Sequence, residues 1–490
     1  MRGRTRLAIT AALGLLAAGV VALPGTSAHA GATAAAVAAD EPAPLAVRRT
    51  TSVVEVEKIG DNVYLDLGAF LVAGTDAFEV RTVRPSYQQP LRSTLYLGGV
   101  AYEVPAELVG SFAGPRGLVQ VTLRNPEGEV VHQYGVSMCT WSESVRVRPD
   151  APDTSRYPAG CFGYNPLALG SVSGIEAGWA MSLVPNRNQA RLPLGRYLAT
   201  VSIGSAYQQL LGLPAETSST RIRVRVVKGD EDCHECGFQR AGGNETPTVD
   251  LRPDRSAPRL AAPPQGAPLP DLRSLPAFGM QMRRGQWLAF GANVWNAGPS
   301  PLVVDGFRRQ DEDLMDAFQY FFDTEGNPAG RTEVGTMAWD PRDGHQHWHF
   351  KDFARYRLLD ADRNAVVRSK KEAFCLANTD AIDYTVPGAN WNPMNTDLHT
   401  ACGDAGSIGV REVLDVGSGD TYAQFRPGQS FNVADLPAGK YFIEVTGNPM
   451  GNLAEADYTN NTALRPVWIT GKPGEARGVK VRPVGLIDIG

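Results

Sequence analysis

The sequence predicts an all-β protein, an N-terminal β-sandwich-like region followed by a C-terminal β-sandwich-like domain. Two observations carry this expectation. Short runs of alternating polarity, such as "SVVEVEKI", "NVYLDLGAFLV" and "TRIRVRVVKG", recur between Gly, Pro, Asn and Asp clusters, and almost no stretch holds a helical period. A Pro-rich segment, "GGNETPTVDLRPDRSAPRLAAPPQGAPLP", then interrupts the pattern. It has too few large apolar residues to build a core.

In chain order, Arg2, Arg4 and Arg6 precede the apolar run "LAITAALGLLAAGVVAL", and "SAHA" ends it, so residues 1–30 read as an export signal. A retained anchor fits less well, because Gly and Pro24 break the run. No later stretch looks transmembrane. Residues 31–45 form an Ala- and Pro-rich leader, 46–228 an N-terminal β-rich region and 229–268 a linker. Residues 269–470 form a second β-rich unit, and 471–490 a loosely attached tail. "LPLGRYLATVSI" at 192–203 and "LPAGKYFIEVTG" at 436–447 echo each other as hairpins entering a strand.

Loss of the three signal arginines takes the net charge from −5 to −8, which argues against a nucleic-acid partner. Six cysteines in an exported chain suggest three disulfides, paired by proximity as Cys139 with Cys161, Cys233 with Cys236 and Cys375 with Cys402. "CHEC" could instead be half of a zinc site, but no second C-x-x-C completes it.

The densest chemistry is "DGHQHWHF" at 343–350, which holds three of the seven histidines at alternate positions. On a strand, residues two apart share a face at about 6 to 7 Å, so His345, His347 and His349 can converge on one ion. The plainer reading is a solvated polar face. Three imidazoles suit zinc, copper, iron or nickel, with copper first on intrinsic affinity. A zinc hydrolase would want an acidic partner close by, for which Asp343 and Asp352 are the candidates.

"HQHWH", "FARYRLLDA", "KKEAFCL", "GDTYAQFRPGQSFNVADLPAGKYFIEVTGNP" and "EADYTNN" resemble, in this order, the catalytic domain of the lysyl oxidases, over about residues 269–470 from "LPDL". The resemblance implies His345, His347 and His349 as copper ligands. It also implies a lysine tyrosylquinone cofactor built from Lys371 and Tyr422, with Lys370 rejected on register. Taken alone, a lysine is usually a solvated charge and a strand tyrosine a packed ring. Such a cofactor forms when dioxygen oxidises the tyrosine ring beside copper and the lysine amine adds to it. Its remaining carbonyl then condenses with a primary amine, and loss of the α-proton and hydrolysis release aldehyde, with ammonia and hydrogen peroxide as co-products. Asp420, two residues before Tyr422, is the candidate base, with a turn role as the alternative.

The resemblance also places calcium in "EADYTNN", on the oxygens of Glu455, Asp457, Asn460 and Asn461, with Asp271 and the carbonyl of Leu272 from the opening segment. An Asx-rich turn is the competing reading. The chain departs from the family in three places. Gly344 stands where a cysteine is usual, the cysteine-rich middle is thinned to Cys375 and Cys402, and an insert around "VPGANWNPMNTD" lengthens the path from Lys371 to Tyr422. His399, just beyond the insert, is read as a surface residue rather than a ligand.

Function is therefore expected to be a secreted copper amine oxidase that takes dioxygen and a primary amine, either peptidyl lysine in a protein or a small amine. The alternatives are a non-catalytic, metal-holding cell-surface or matrix-binding protein, and a zinc hydrolase.

Overall fold

The computed structural model describes residues 43–136, 138, 144–158, 165–183, 189–229, 257–310, 312–342, 346–369, 371, 373–393 and 402–489. The expected signal and most of the leader, His345, His399 and four of the six cysteines lie outside them. The described chain is all β, with one short α-helix, Ser205–Leu211, and one 3-10 turn.

Alternation builds the front unit. In Ser219–Lys228 the side chains of Ile222, Val224 and Val226 are buried while Arg221, Arg223 and Arg225 face outward, the period of two that the sequence shows. This strand lies in a seven-stranded sheet, antiparallel to Gly195–Ile203 and parallel to Val53–Ile59. Two four-stranded sheets complete the unit. Leu71, Phe78, Leu95, Val121, Ala199 and Val224, drawn from all three sheets, share one apolar core.

Three sheets form the rear unit among the described residues. The first is centred on Trp287–Asn296, which pairs with the tyrosine strand Ser418–Tyr422. The second runs through Ala373–Phe374, the histidine strand His347–Lys351, Pro328–Asp340, Leu314–Phe322, Leu302–Arg308 and Gly409–Leu414. The third holds Ala354–Leu359, Gly439–Gly447 and Thr462–Thr470. Their core includes Trp348, Phe350, Phe374, Tyr356 and Phe431.

Two expectations of loose chain are corrected. The end of the linker already belongs to the rear unit. Ala257 is buried with Val303, Tyr320 and Val413, and Leu260 donates to the Arg331 carbonyl at 2.8 Å. The tail supplies the strand Gly478–Val481, which pairs with Thr462–Thr470 and so covers an edge that would otherwise be open. The two echoed hairpins share one local device. Tyr197 donates its hydroxyl to the Pro193 carbonyl and Tyr441 to the Pro437 carbonyl, each at 2.8 Å.

Candidate active site

Strand alternation sends His347 and His349 to one face, their ring centroids 4.6 Å apart. His349 is buried and His347 half-buried. Trp348, between them, faces the core and donates its Nε1 to the Asp404 carbonyl at 2.9 Å. Asp340, on the neighbouring strand, brings Oδ2 to 3.5 Å from His349 Nδ1, and Arg342 Nε reaches Asp340 Oδ1 at 2.8 Å. A carboxylate behind an imidazole in this way fixes its tautomer and raises its basicity as a ligand. The even spacing stops at Gln346, whose φ of +39° turns the chain out of the strand. His345, on the far side of Gln346, lies outside the described residues.

Lys371 precedes the short strand Ala373–Phe374, which pairs with the histidine strand through Phe350 and Phe374. Its backbone N–H donates to Ser369 Oγ at 3.1 Å, and that hydroxyl donates to the Gly428 carbonyl at 2.7 Å. Gly428, at φ +82°, lies so close that a Cβ there would meet the Lys371 Cβ at 2.8 Å. Folded down in this way, the Lys371 amine lies 4.2 Å from the centroid of the Tyr422 ring and 4.9 Å from that of Phe374. Burial pushes its pKa down to about 8, against the pull of Asp420.

Tyr422 is held from its far end. Its hydroxyl donates to the Cys375 carbonyl and accepts from the Cys375 N–H, both at 3.0 Å, and its ring meets Phe374 edge-on at 5.0 Å. Burial, then Asp420 and Glu412, raise the phenol well above its ordinary pKa. Asp420 shares the Tyr422 face of the strand and is itself driven well up by burial. Its Oδ2 accepts no hydrogen bond among the described residues.

Glu412 is the site residue that sequence reasoning missed. It is fully buried, accepts from the Leu376 N–H at 2.9 Å, and has its pKa raised well above normal by desolvation. The signal was present in "VREVL", two charges inside an apolar strand. Arg411 is absorbed by a buried pairing with Asp305. Glu412 has no such countercharge among the described residues.

The disulfide Cys375–Cys402 joins the two halves of the site. Cys375 holds the Tyr422 hydroxyl, and the Cys402 carbonyl accepts from the Trp348 N–H at 3.0 Å, between the two histidines.

The acidic block also converges. Glu455 accepts from the Leu272 N–H at 3.0 Å and from Asn461 Nδ2 at 2.6 Å. Asn460 Nδ2 lies between Asp271 Oδ1, at 2.9 Å, and Asp457 Oδ2, at 3.1 Å. Thus two carboxylates distant in sequence point at one spot. The buried Oδ1 atoms of Asn460 and Asn461 accept nothing among the described residues. Leu272 is engaged here through its N–H, whereas the family resemblance implies its carbonyl.

An all-β rear unit with two histidines sharing one strand face and a lysine stacked on a tyrosine defines the class, and comparison with known proteins adds to it. Residues 311–473 match the family model described as Lysyl oxidase, so the chain carries a lysyl oxidase-family domain. Human protein-lysine 6-oxidase is 30% identical over 148 residues, 30% of this chain and 32% of that protein. Chicken lysyl oxidase homolog 2 is 28% identical over 160 residues, 32% of this chain and 18% of that protein. Mouse lysyl oxidase homolog 4 is 30% identical over 132 residues, 27% of this chain and 16% of that protein. The chain thus spans at most about a third of these relatives.

Proposed function

We propose that the protein is a secreted copper-dependent amine oxidase that converts primary amines, peptidyl lysine or small amines, to aldehyde, ammonia and hydrogen peroxide. The observation that carries this reading is the Lys371 amine stacked 4.2 Å from the Tyr422 ring centroid, in a domain whose strand His347–Lys351, paired with Ala373–Phe374, sends two histidines to one face. The donor chemistry fits copper, since two imidazoles share a face and one is oriented by the Asp340 carboxylate. His345, His347 and His349 would hold the metal. When bound, copper and the lysine tyrosylquinone supply the reaction with dioxygen and an electrophilic carbonyl for the amine.

The chain's own residues do the rest. Partial burial leaves Lys371 a much larger neutral fraction at pH 7 than a solvated lysine, and only the neutral amine is a nucleophile. Phe374, itself braced edge to face by Tyr356 at 5.8 Å, covers one edge of the Tyr422 ring at 5.0 Å. Asp420, neighbour to both Lys371 and Tyr422, is the group we assign to proton transfer, with Glu412 behind it. Calcium is assigned to the Asp271, Glu455, Asp457, Asn460 and Asn461 cluster, where hard oxygens converge and the buried Oδ1 atoms of Asn460 and Asn461 accept nothing among the described residues. Chelation of calcium should then lower the melting temperature of the wild-type protein and leave that of Asp457→Ala unmoved. An equal melting temperature with and without chelator returns the block to an Asx turn.

The deciding measurement is mass analysis of the copper-loaded protein, in which a Lys371–Tyr422 cross-linked peptide is expected together with amine-dependent peroxide release. Lys371→Arg, Tyr422→Phe and His347→Ala should each abolish that release. Full activity in Tyr422→Phe would sink the quinone chemistry. Activity with zinc and indifference to oxygen would favour a hydrolase, and an unshifted mass without turnover a binding protein.

A further inference from the structure

Alternation gives the tyrosine strand two faces. Asp420 and Tyr422 look toward Lys371, while Gly419 and Thr421 look the other way. That second face is covered by the front unit. Asn165, almost fully buried in the segment "NPLAL", donates Nδ2 to Thr421 Oγ1 at 3.2 Å, and Asn293 donates to the same oxygen at 2.9 Å. The Asp380 carboxylate is held by hydrogen bonds from both Thr421 and Asn165, so the Thr421 hydroxyl spends both its acceptor sites and its donor. Asn165 is fixed for this task because its Oδ1 accepts from the Leu167 N–H at 2.9 Å.

Around this contact the two units share a core and backbone. Leu167 packs with Leu275, Phe278, Trp295 and Ile382. The Leu169 N–H donates to the Ile382 carbonyl at 2.6 Å, and the Tyr384 N–H to the Gly170 carbonyl at 3.0 Å. The insert that lengthens the path from Lys371 to Tyr422 is what the front unit grips. Trp391 stacks on Tyr157 at 5.8 Å, and Asn392 Nδ2 lies within 3.3 Å of the carbonyls of Ser155, Arg156 and Tyr157.

We propose that the front β unit is the back support of the tyrosine strand, and that Asn165 is a positioning residue which, through Thr421, holds Tyr422 in register with Lys371. This rests on the reading of Lys371 and Tyr422 as cofactor precursors. The insert is the tongue on which the support docks, and a family site that lacks the insert would need another way to cover Thr421.

The test uses the full-length chain. In the copper-free protein, Asn165→Ala should speed hydrogen–deuterium exchange of the amides at 418–422 at least tenfold, leaving 462–470 unchanged. After copper loading, the fraction of folded molecules carrying the Lys371–Tyr422 cross-link should fall several-fold. Should Asn165→Ala fail to fold, Asn165→Asp, which keeps the acceptor for Leu167 and loses the donor to Thr421, carries the same expectation. Unchanged exchange at 418–422 in a folded variant overturns the support. Faster exchange with an unchanged cross-linked fraction overturns the positioning role. If wild-type protein yields no cross-link, the precursor reading fails, and the copper-free exchange still decides the support.

Discussion

At the scale of single residues, the site pairs an amine that burial makes less basic with acids that burial makes weaker. Lys371 lies near Asp420 and Asp340, which raise its pKa, and near Arg342 and Arg426, which lower it; burial outweighs them and brings it to about 8. Its folded pKa is below that of a free lysine, so its charge costs stability below pH 8, and the cost is relieved as pH rises above that. The rate of cross-link formation, followed by mass after copper loading, should therefore rise with pH to about 8 and then level off. A flat profile would show that the amine is not the titrating partner. Lys371 and Tyr422 were legible in the sequence only through the order of the blocks, because neither residue type announces such a role. Their stacking needed the Gly428 turn and the Cys375 backbone, which spacing does not encode.

At the scale of elements, alternation was the readable signal, and "TRIRVRVV" and "HWH" both obey it. The described strand begins at His347, and Gln346 before it has a left-handed φ that alternation does not foresee. The Cys375–Cys402 bridge, legible from proximity, turned out to clamp the histidine strand to the hydroxyl of Tyr422. Its loop separation of 27 residues implies about 3.5 kcal/mol of stabilisation in the chain-entropy account. Replacing both cysteines by serine should lower the melting temperature and cut the cross-linked fraction among folded molecules, both measurable on one preparation. A normal cross-linked fraction would limit the bridge to stability. Glu412 left a readable but unused trace, one of two charges inside an apolar strand. Asn165 was not legible, because it lies in a turn whose partner, Thr421, is 256 positions away.

At the scale of the whole molecule, the joint between the units contains its own pH dependence. Asp415, just before the tyrosine strand, takes a hydrogen bond from Asn390 of the insert at 3.3 Å, and burial pushes its pKa up to about 7. The folded state thus keeps a proton that the unfolded chain releases near pH 4. Stability should fall as pH rises from 4 to 7 and level off beyond, by up to about 4 kcal/mol from this group. Denaturant titrations at pH 5 and 7.5 should show the decline, and Asp415→Asn should flatten it.

The shared core of Leu167, Leu275, Phe278, Trp295 and Ile382, with Trp391 laid on Tyr157, implies that covalent continuity is dispensable once folding is complete. A specific protease site placed between residues 230 and 256 and cleaved in the native protein should give two polypeptides that still elute together and still form the cross-link. Recovery of two separate peaks would show that the peptide connection holds the units together.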